Sequence, residues 1–446
     1  MRIQKIRRAA MILLAVGLSL AASRVGWTAT LGQRETLPNG MVLLVAEQRA
    51  VPIVTVSMLL RAGSIHDPAD KPGTANLVAQ MLTQGTKTRT APQISEAIEF
   101  TGGSLSVDAG QELATVSLSV LSKDLDTGLD LMADILLNPV FNQADLQRKI
   151  NEVVAGIQRD QEDPGTVSWQ AFLALVYGSH PFGRPVEGTE QSVPTITRDD
   201  VVKFHEAYFR PNRAILAVVG DVSMADLKQR LAAKLGAWQP GGPPVSLPSA
   251  PPPLTQRVVK TIQRQVTQAN TNFGNLGITR ESPDYYAVQV MNYILGEGFG
   301  SYLISKIREE KGWAYDVGSS FGMGKTAGEF SVSMQTKNEV AQDAIDEALA
   351  QIRRVRDQPV SDQDLKDAKA FLTGSFPLRL DTSTKIAGML ASIEYYGLGS
   401  DYIEKYPAMI NAVSAADVQR VAQKYLDPEK YALAVVADLA KAKIQP

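Results

Sequence analysis

The sequence predicts an α+β fold built twice: two homologous α/β sandwich domains, each a mostly antiparallel sheet flanked by helices. Three observations predict it. "ITRDDVVKFHEAYFRPNRAILAVVGDV" (Ile196 to Val222) aligns without gaps with "VSAADVQRVAQKYLDPEKYALAVVADL" (Val413 to Leu439), 217 residues later, with about a third of positions identical. "PVFNQADLQRK" recurs as "PVSDQDLKDAK" at an offset of about 220, so one internal duplication explains both pairs. Between the copies lies "QPGGPPVSLPSAPPPLTQ" (Gln239 to Gln256), with seven prolines and two glycines, a stiff extended linker.

The elements follow in order. Residues 1–29 read as a secretory signal peptide: "MRIQKIRR" supplies four basic residues and no acid, and "AAMILLAVGLSLAAS" is an apolar run short for a bilayer span. The expectation is a chain exported to a bacterial periplasm, with no membrane attachment once the leader is removed. Residues 30–238 form the first domain. "GMVLLVAEQ" and "IVTVSMLLRAG" are consecutive strands, and "GGSLSVDAGQELATVSLSVL" is a hairpin-like pair. Helical stretches run from Lys123 to Leu137 and from Gln143 to Val176. Residues 239–257 are the linker, and 258–446 the second domain. Each duplicated segment reads as a capped helix, a proline turn and a buried "LAVV" strand. Hairpin strands with helices on one face make an α+β sandwich rather than a parallel βαβ sheet.

Composition narrows the function classes. At 446 residues the chain is long enough for two cores, and a formal charge of −2 argues against nucleic acid or an anionic membrane as partner. With no cysteine there are no disulfides, no thiolate metal ligand and no thiol nucleophile. The three histidines are scattered. His66 precedes Asp67 in a predicted turn, His180 precedes Pro181 in a loop, and His205 lies on a helix whose second copy carries Ala422. No Ser-His-Asp arrangement is legible.

"GTANLVAQMLTQGT" (Gly73 to Thr86) reads as an amphipathic helix with Leu77, Val78, Met81 and Leu82 on its apolar side. Asn76 and Gln80 stand four apart on another face, with Ala79 beside them. The surrounding segment, "LPNGMVLLVAEQRAVPIVTVSMLLRAGSIHDPADKPGTANLVAQMLTQGT", together with "HPFGRPVEGT" and the duplicated halves, resembles the pitrilysin/insulinase-type zinc metallopeptidases. Within that family it is similar to the shorter two-domain chains that include mitochondrial processing peptidase. The resemblance implies that the two domains form half of a clamshell.

In that family the helix carries an inverted zinc motif, H-x-x-E-H, with a third glutamate ligand about 76 residues further on. Laid on this chain, Asn76 and Gln80 stand where the histidines would be, Ala79 where the general base would be, and Gly156 where the distal glutamate would be. Zinc typically takes three strong imidazole or carboxylate donors and keeps a position for water. The resemblance therefore implies no metal in this chain and no activity for it alone. Zinc is expected in a homologous catalytic partner with an intact motif.

"LGEGFGSYLISKIREEKGWAYDVGSSF" resembles the family's glycine-rich segment, helix and strand, with Arg308 and Tyr315 matching an Arg/Tyr pair seven apart. The resemblance implies that this pair holds substrate and stabilises the reacting carbonyl, in trans for a partner's site. Gly296, Gly298 and Gly300 are the substrate-side glycines, permitting close backbone approach. Leu303, Ile304 and Ile307 place Arg308 on the exposed face of its helix, and Gly312 ends that helix before the strand that presents Tyr315. The expected function is a non-catalytic subunit of a heterodimeric exported zinc peptidase acting on short or unfolded peptides. The alternative is a non-hydrolytic peptide-binding or scaffolding member of the same family.

Overall fold

The computed structural model describes residues 31–243, 246–326 and 328–445; the leader read at residues 1–29 lies outside them. The first half runs β1 (Gln33–Thr36), β2 (Val42–Glu47), β3 (Ile53–Leu60), α1 (Thr74–Met81), α2 (Ala91–Phe100), β4 (Ser104–Ala109) and β5 (Ala114–Leu121). It continues with α3 (Leu125–Leu137), α4 (Gln143–Glu162), α5 (Pro164–Tyr177), α6 (Arg198–Tyr208), β6 (Ala214–Gly220) and α7 (Met224–Leu235). After the linker come β7 (Val258–Gln263), β8 (Gln268–Leu276), α8 (Tyr285–Asn292), β9 (Ala314–Phe321), β10 (Glu329–Lys337) and α9 (Ala341–Asp357). The chain ends with α10 (Asp362–Gly374), α11 (Ser383–Tyr396), α12 (Tyr402–Ala412), α13 (Ala415–Tyr425), β11 (Ala432–Ala437) and α14 (Leu439–Ala442).

The strands form two sheets, ordered β1-β2-β6-β3-β5-β4 and β7-β11-β8-β10-β9. Apart from the extra edge strand β1, the two orders are the same. In each sheet the first copy-related pair is parallel (β2 with β6, β7 with β11) and every other pair is antiparallel. The duplication read from the helix-strand segments thus extends to whole sheets. Helices α6 and α13 even start with the same reciprocal cap, Thr197 with Asp200 and Ser414 with Asp417.

The strand "LAVV" of each copy is apolar without alternation because both of its faces are covered. In β6, Leu216 and Val218 join the core of the first half, while Ile215, Ala217 and Val219 face Ile386, Ala387, Leu390 and Ala391 of α11. In β11, Leu433, Val435 and Ala437 join the core of the second half, while Ala432 and Ala434 pack with Ala171, Phe172, Val176 and Tyr177 of α5. The halves therefore exchange helices: α5 of the first lies on β8 and β11 of the second, and α11 of the second lies on β3 and β6 of the first.

This exchange accounts for a departure from the sequence reading. The helical stretch expected from Gln143 to Val176 is two helices, divided at Asp163. Pro164 cannot extend α4, because its ring has no N–H to donate and clashes with the preceding turn, but it suits the first position of a new helix. The Asp163 side chain then accepts from the Thr166 N–H at 2.7 Å, capping α5 as it sets off across the other sheet.

Phe172 is fully buried where α5 meets the second sheet. Phe172→Ala is expected to destabilise the chain by about 3–5 kcal/mol. Because the lost contact joins the halves, urea unfolding followed by far-UV dichroism and by tryptophan fluorescence should shift together. A second prediction concerns Asp284, just before α8, which accepts from Arg420 (2.7 Å), Lys424 (2.8 Å) and Tyr425 (2.6 Å) of α13. Burial pushes its carboxyl up, but Lys424, Tyr425 and Arg420 outweigh burial and hold it well below the usual carboxylate range. A depressed carboxylate contributes stability above its unfolded pKa and loses it as pH falls below about 4. Asp284→Asn should therefore be less stable than wild type at pH 7 and show a shallower acid limb in urea midpoints measured between pH 7 and 3.

Candidate functional site

Helix α1 is anchored at its start. Asp67 accepts from the Gly73 and Ala75 N–H groups, each at 2.8 Å, which places a carboxyl at the helix N-terminus where backbone donors have no intrahelical partner. Gly73 has φ +102, a conformation side chains rarely adopt, and its missing Cβ would lie 2.7 Å from the Glu187 carbonyl oxygen. Leu77, Val78, Met81 and Leu82 are buried in the first core, as their spacing predicts. Asn76 and Ala79 are also buried, while Gln80 is half-buried. The Gln80 amide donates to Asn76 Oδ1 at 3.2 Å, and Asn76 Nδ2 is buried without a partner among the described residues. Gly156 lies on α4, which packs against α1, and offers no side chain there.

This donor set does not fit zinc. The two amides hydrogen-bond to each other, Ala79 contributes a methyl and Gly156 contributes nothing, whereas a catalytic zinc site needs three imidazole or carboxylate ligands. The histidines are engaged elsewhere. His66 stacks on Tyr208 with ring centroids 4.6 Å apart, and burial together with Arg213 pushes its pKa down to about 4. His180 Nδ1 accepts from the Phe182 N–H at 3.2 Å, and His205 Nε2 lies 3.0 Å from the Leu136 carbonyl oxygen.

Arg308 and Tyr315 come together on the second half. The Arg308 guanidinium carbon stands 5.3 Å from the centre of the Tyr315 ring, within cation–π range. Leu303 and Ile307 are fully buried, Ile304 is half-buried and Arg308 is exposed, as expected. Gly312 has φ +61 and closes the turn, with its N–H on the Arg308 carbonyl at 3.2 Å. No hydrogen bond, ion pair or ring contact links Arg308 or Tyr315 to Asn76, Ala79 or Gln80 among the described residues.

Two local irregularities present the pair, and neither is visible in the sequence. The segment carrying Arg308 is a π-helix over Ile304–Glu310 rather than the α-helix its spacing suggests, and a second π-helix spans Tyr293–Glu297. Such wide turns are rare and concentrate at functional sites. The strand register slips at the start of β9: Gln335 faces Asp316 and Thr336 faces Ala314, leaving Tyr315 as the extra residue of a β-bulge. The bulge frees its side chain from the pleat, and Tyr315 is 79% exposed.

The glycines divide into two kinds. A Cβ on Gly296 would lie 2.4 Å from Ser319 Oγ, and one on Gly298 would lie 2.7 Å from the Tyr293 ring, so these two let the loop press onto β9 and onto its own first turn. Gly300 has open space around it, and Phe299 between them is 83% exposed. Asn292, which the sequence reading missed, fastens this loop. Its amide donates to Glu297 Oε2 (3.0 Å) and to the Ser319 carbonyl (3.2 Å), and its Oδ1 accepts from Ser319 Oγ at 2.8 Å. An asparagine beside the apolar Val288, Val290 and Met291 was the available signal.

Comparison with known proteins finds similar sequences and similar folds. Residues 42–190 match the family described as Insulinase (Peptidase family M16), and residues 195–372 match Peptidase M16 inactive domain. The chain is 29% identical over 424 residues to an uncharacterized zinc protease of Mycobacterium leprae, covering 93% of each chain. It is 24% identical over 413 residues to an uncharacterized zinc protease of Bacillus subtilis, covering 91% of this chain and 98% of that one. Among solved structures, a peptidase M16 inactive domain from Pseudomonas fluorescens superposes with a TM-score of 0.85 at 27% identity, covering 91% of this chain and 98% of that one. A protease from Helicobacter pylori shares the fold, with a TM-score of 0.84 at 19% identity, covering 91% and 98% respectively.

Asn292→Ala removes three hydrogen bonds, two of them buried, and strands the Ser319 hydroxyl. It is expected to cost about 1–3 kcal/mol and to raise amide hydrogen exchange in the loop from Gly296 to Gly300 more than in β6. Unchanged exchange in that loop would exclude the fastening role.

Proposed function

Since the chain belongs to peptidase family M16, the insulinase-type peptidases, we propose that it is the non-catalytic subunit of a heterodimeric, exported zinc peptidase. The observation that carries this reading is an exposed Arg308–Tyr315 pair on a chain whose α1 lacks every donor a metal would need. Neither Arg308 nor Tyr315 spends its side-chain polar atoms inside the protein: no side-chain hydrogen bond or ion pair engages either among the described residues. An arginine stacked on an exposed tyrosine and presented by a bulge is poorly explained by folding stability, since exposed pairs contribute little.

The chemistry available to this chain is positioning and charge stabilisation. The guanidinium offers several fixed donors to a peptide carbonyl or carboxylate, and the phenol offers one donor to an oxygen on which negative charge develops. Donors held in place before the reaction act without reorganising, which is why they are effective. The partner, a homologue with an intact H-x-x-E-H helix, would supply the metal and the general base. This chain would supply the pair and half of the chamber wall around short or unfolded peptides.

The isolated chain is expected to carry no stoichiometric zinc by elemental analysis and to cleave no peptide; about one zinc per chain, lost together with a peptidase activity, would overturn this. The decisive experiment co-purifies the chain with such a homologue and follows hydrolysis of a quenched fluorescent peptide. Arg308→Ala and Tyr315→Phe should leave the heterodimer assembled and lower turnover by about 10²–10³. If both variants assemble and keep full turnover, the chain is a scaffold or peptide-binding member of the family.

A further inference from the structure

Arg213 is a buried cation without a counter-ion. It ends the 3₁₀ turn Pro211–Arg213 that leads into β6 and is 8% exposed. One of its terminal nitrogens donates to the Pro243 carbonyl of the linker at 3.1 Å, and its guanidinium carbon lies 5.5 Å from the centre of the Tyr208 ring. Its Nε is buried with no partner, and no carboxylate lies within ion-pair distance among the described residues. A guanidinium does not shed its proton in a protein, so burial without compensation is expensive. Burial outweighs the opposing effect of Tyr208 and, with Arg210 and Arg61 nearby, pulls its pKa below the ordinary value.

Beside Arg213 is a small, partly open cavity of about 40 Å³ where the halves and the linker meet. Arg61 and His66 line it from the first half, Leu247 from the linker, and Lys325 and Tyr395 from the second half, with Glu112 between them. Glu112 is already engaged: it accepts from the Lys325 backbone N–H at 2.7 Å and from the Tyr395 hydroxyl at 2.9 Å. Lys325 Nζ pairs with Glu281 at 3.3 Å. Arg61 has no ion pair among the described residues and lies 5.9 Å from the centre of the Tyr395 ring. His66 is neutral at pH 7. Of the three cations lining the cavity, Lys325 is paired with Glu281 outside it, and Glu112, the carboxylate of the lining, is taken up by the Lys325 N–H and the Tyr395 hydroxyl; Arg61 and Arg213 are left without an ion pair among the described residues.

We propose that this junction cavity binds one small monovalent inorganic anion of chloride's size, held by Arg213 and Arg61. The volume suits that ligand: a water needs roughly 10–15 Å³ by the same measure, so the space takes a small ion and a water but not a peptide. A bound anion pairs with Arg213 and Arg61 at the point where the first half meets the linker, so it stabilises the native chain. The site is independent of the role proposed for Arg308 and Tyr315.

The test is the thermal midpoint of the full chain at constant pH and ionic strength as sodium chloride replaces sodium gluconate, whose anion is too bulky for the cavity. The midpoint should rise with chloride and saturate, because a ligand of the native state shifts unfolding by mass action. Arg61→Gln, at an exposed position, should move the titration to roughly tenfold or more higher chloride, the loss of one charge-assisted contact. Arg213→Gln should abolish it. Crystals grown in bromide should give an anomalous peak between the two guanidinium groups, a readout that stands even where Arg213→Gln does not fold. Equal midpoints in the two salts, a chloride dependence unchanged by Arg61→Gln, or no bromide at the cavity would each overturn the proposal.

Discussion

The architecture depends on one reciprocal packing: α5 of the first half covers β8 and β11 of the second, and α11 of the second covers β3 and β6 of the first. A sheet with two apolar faces needs cover on both, and each half supplies its own helices on one side only. Left alone, either half would expose the alternate residues of its central strand, Ile215, Ala217 and Val219 in one and Ala432 and Ala434 in the other. Exchanging a helix solves both problems at once and makes the two sheets one cooperative body. The Pro-rich linker then needs only to span the junction, and its Pro243 carbonyl does so while accepting from Arg213.

The same packing explains what has survived in the two candidate regions. Helix α1 keeps its buried face, its Asp67 anchor and its contact with α4, all of which serve folding. Its polar positions carry amides that satisfy each other in part. The second half shows the opposite balance. The π turns, the bulge at Tyr315 and the glycine loop pinned by Asn292 are departures from regular structure, even though Ile294, Leu295 and Ile307 of those turns pack in the second core. Irregularity of that kind is retained where it aims a side chain, and here it aims Arg308 and Tyr315 outward together.

Charge is handled differently ahead of α8 and at the junction. Asp284 collects three donors from α13 and is fully compensated. At the meeting of the halves, Glu112 is satisfied by a backbone N–H and a tyrosine hydroxyl, so it leaves the nearby guanidiniums unneutralised. Residues from three separate parts of the chain converge there, which is why no local pattern announces the imbalance.

The sequence by itself determined the duplicated α+β plan, because apolar periodicity, caps and turn prolines are local and recur at a fixed offset in Ile196–Val222 and Val413–Leu439. It also determined the chemistry missing from α1, because amide, methyl and hydrogen are properties of residue type at a given spacing, whatever the surrounding fold. Arg308 on an exposed face and Gly312 as a terminator were legible for the same reason. Only the tertiary structure decided that Gln143–Val176 breaks to send α5 across to the other sheet, since the break at Pro164 does not reveal what the second helix will cover. It alone decided the π turns and the register slip that bring Tyr315 beside Arg308, and the meeting of Arg61, Arg213 and Lys325. Those features are set by which strands pair in which register and by residues far apart in the chain, and no short-range pattern carries that information.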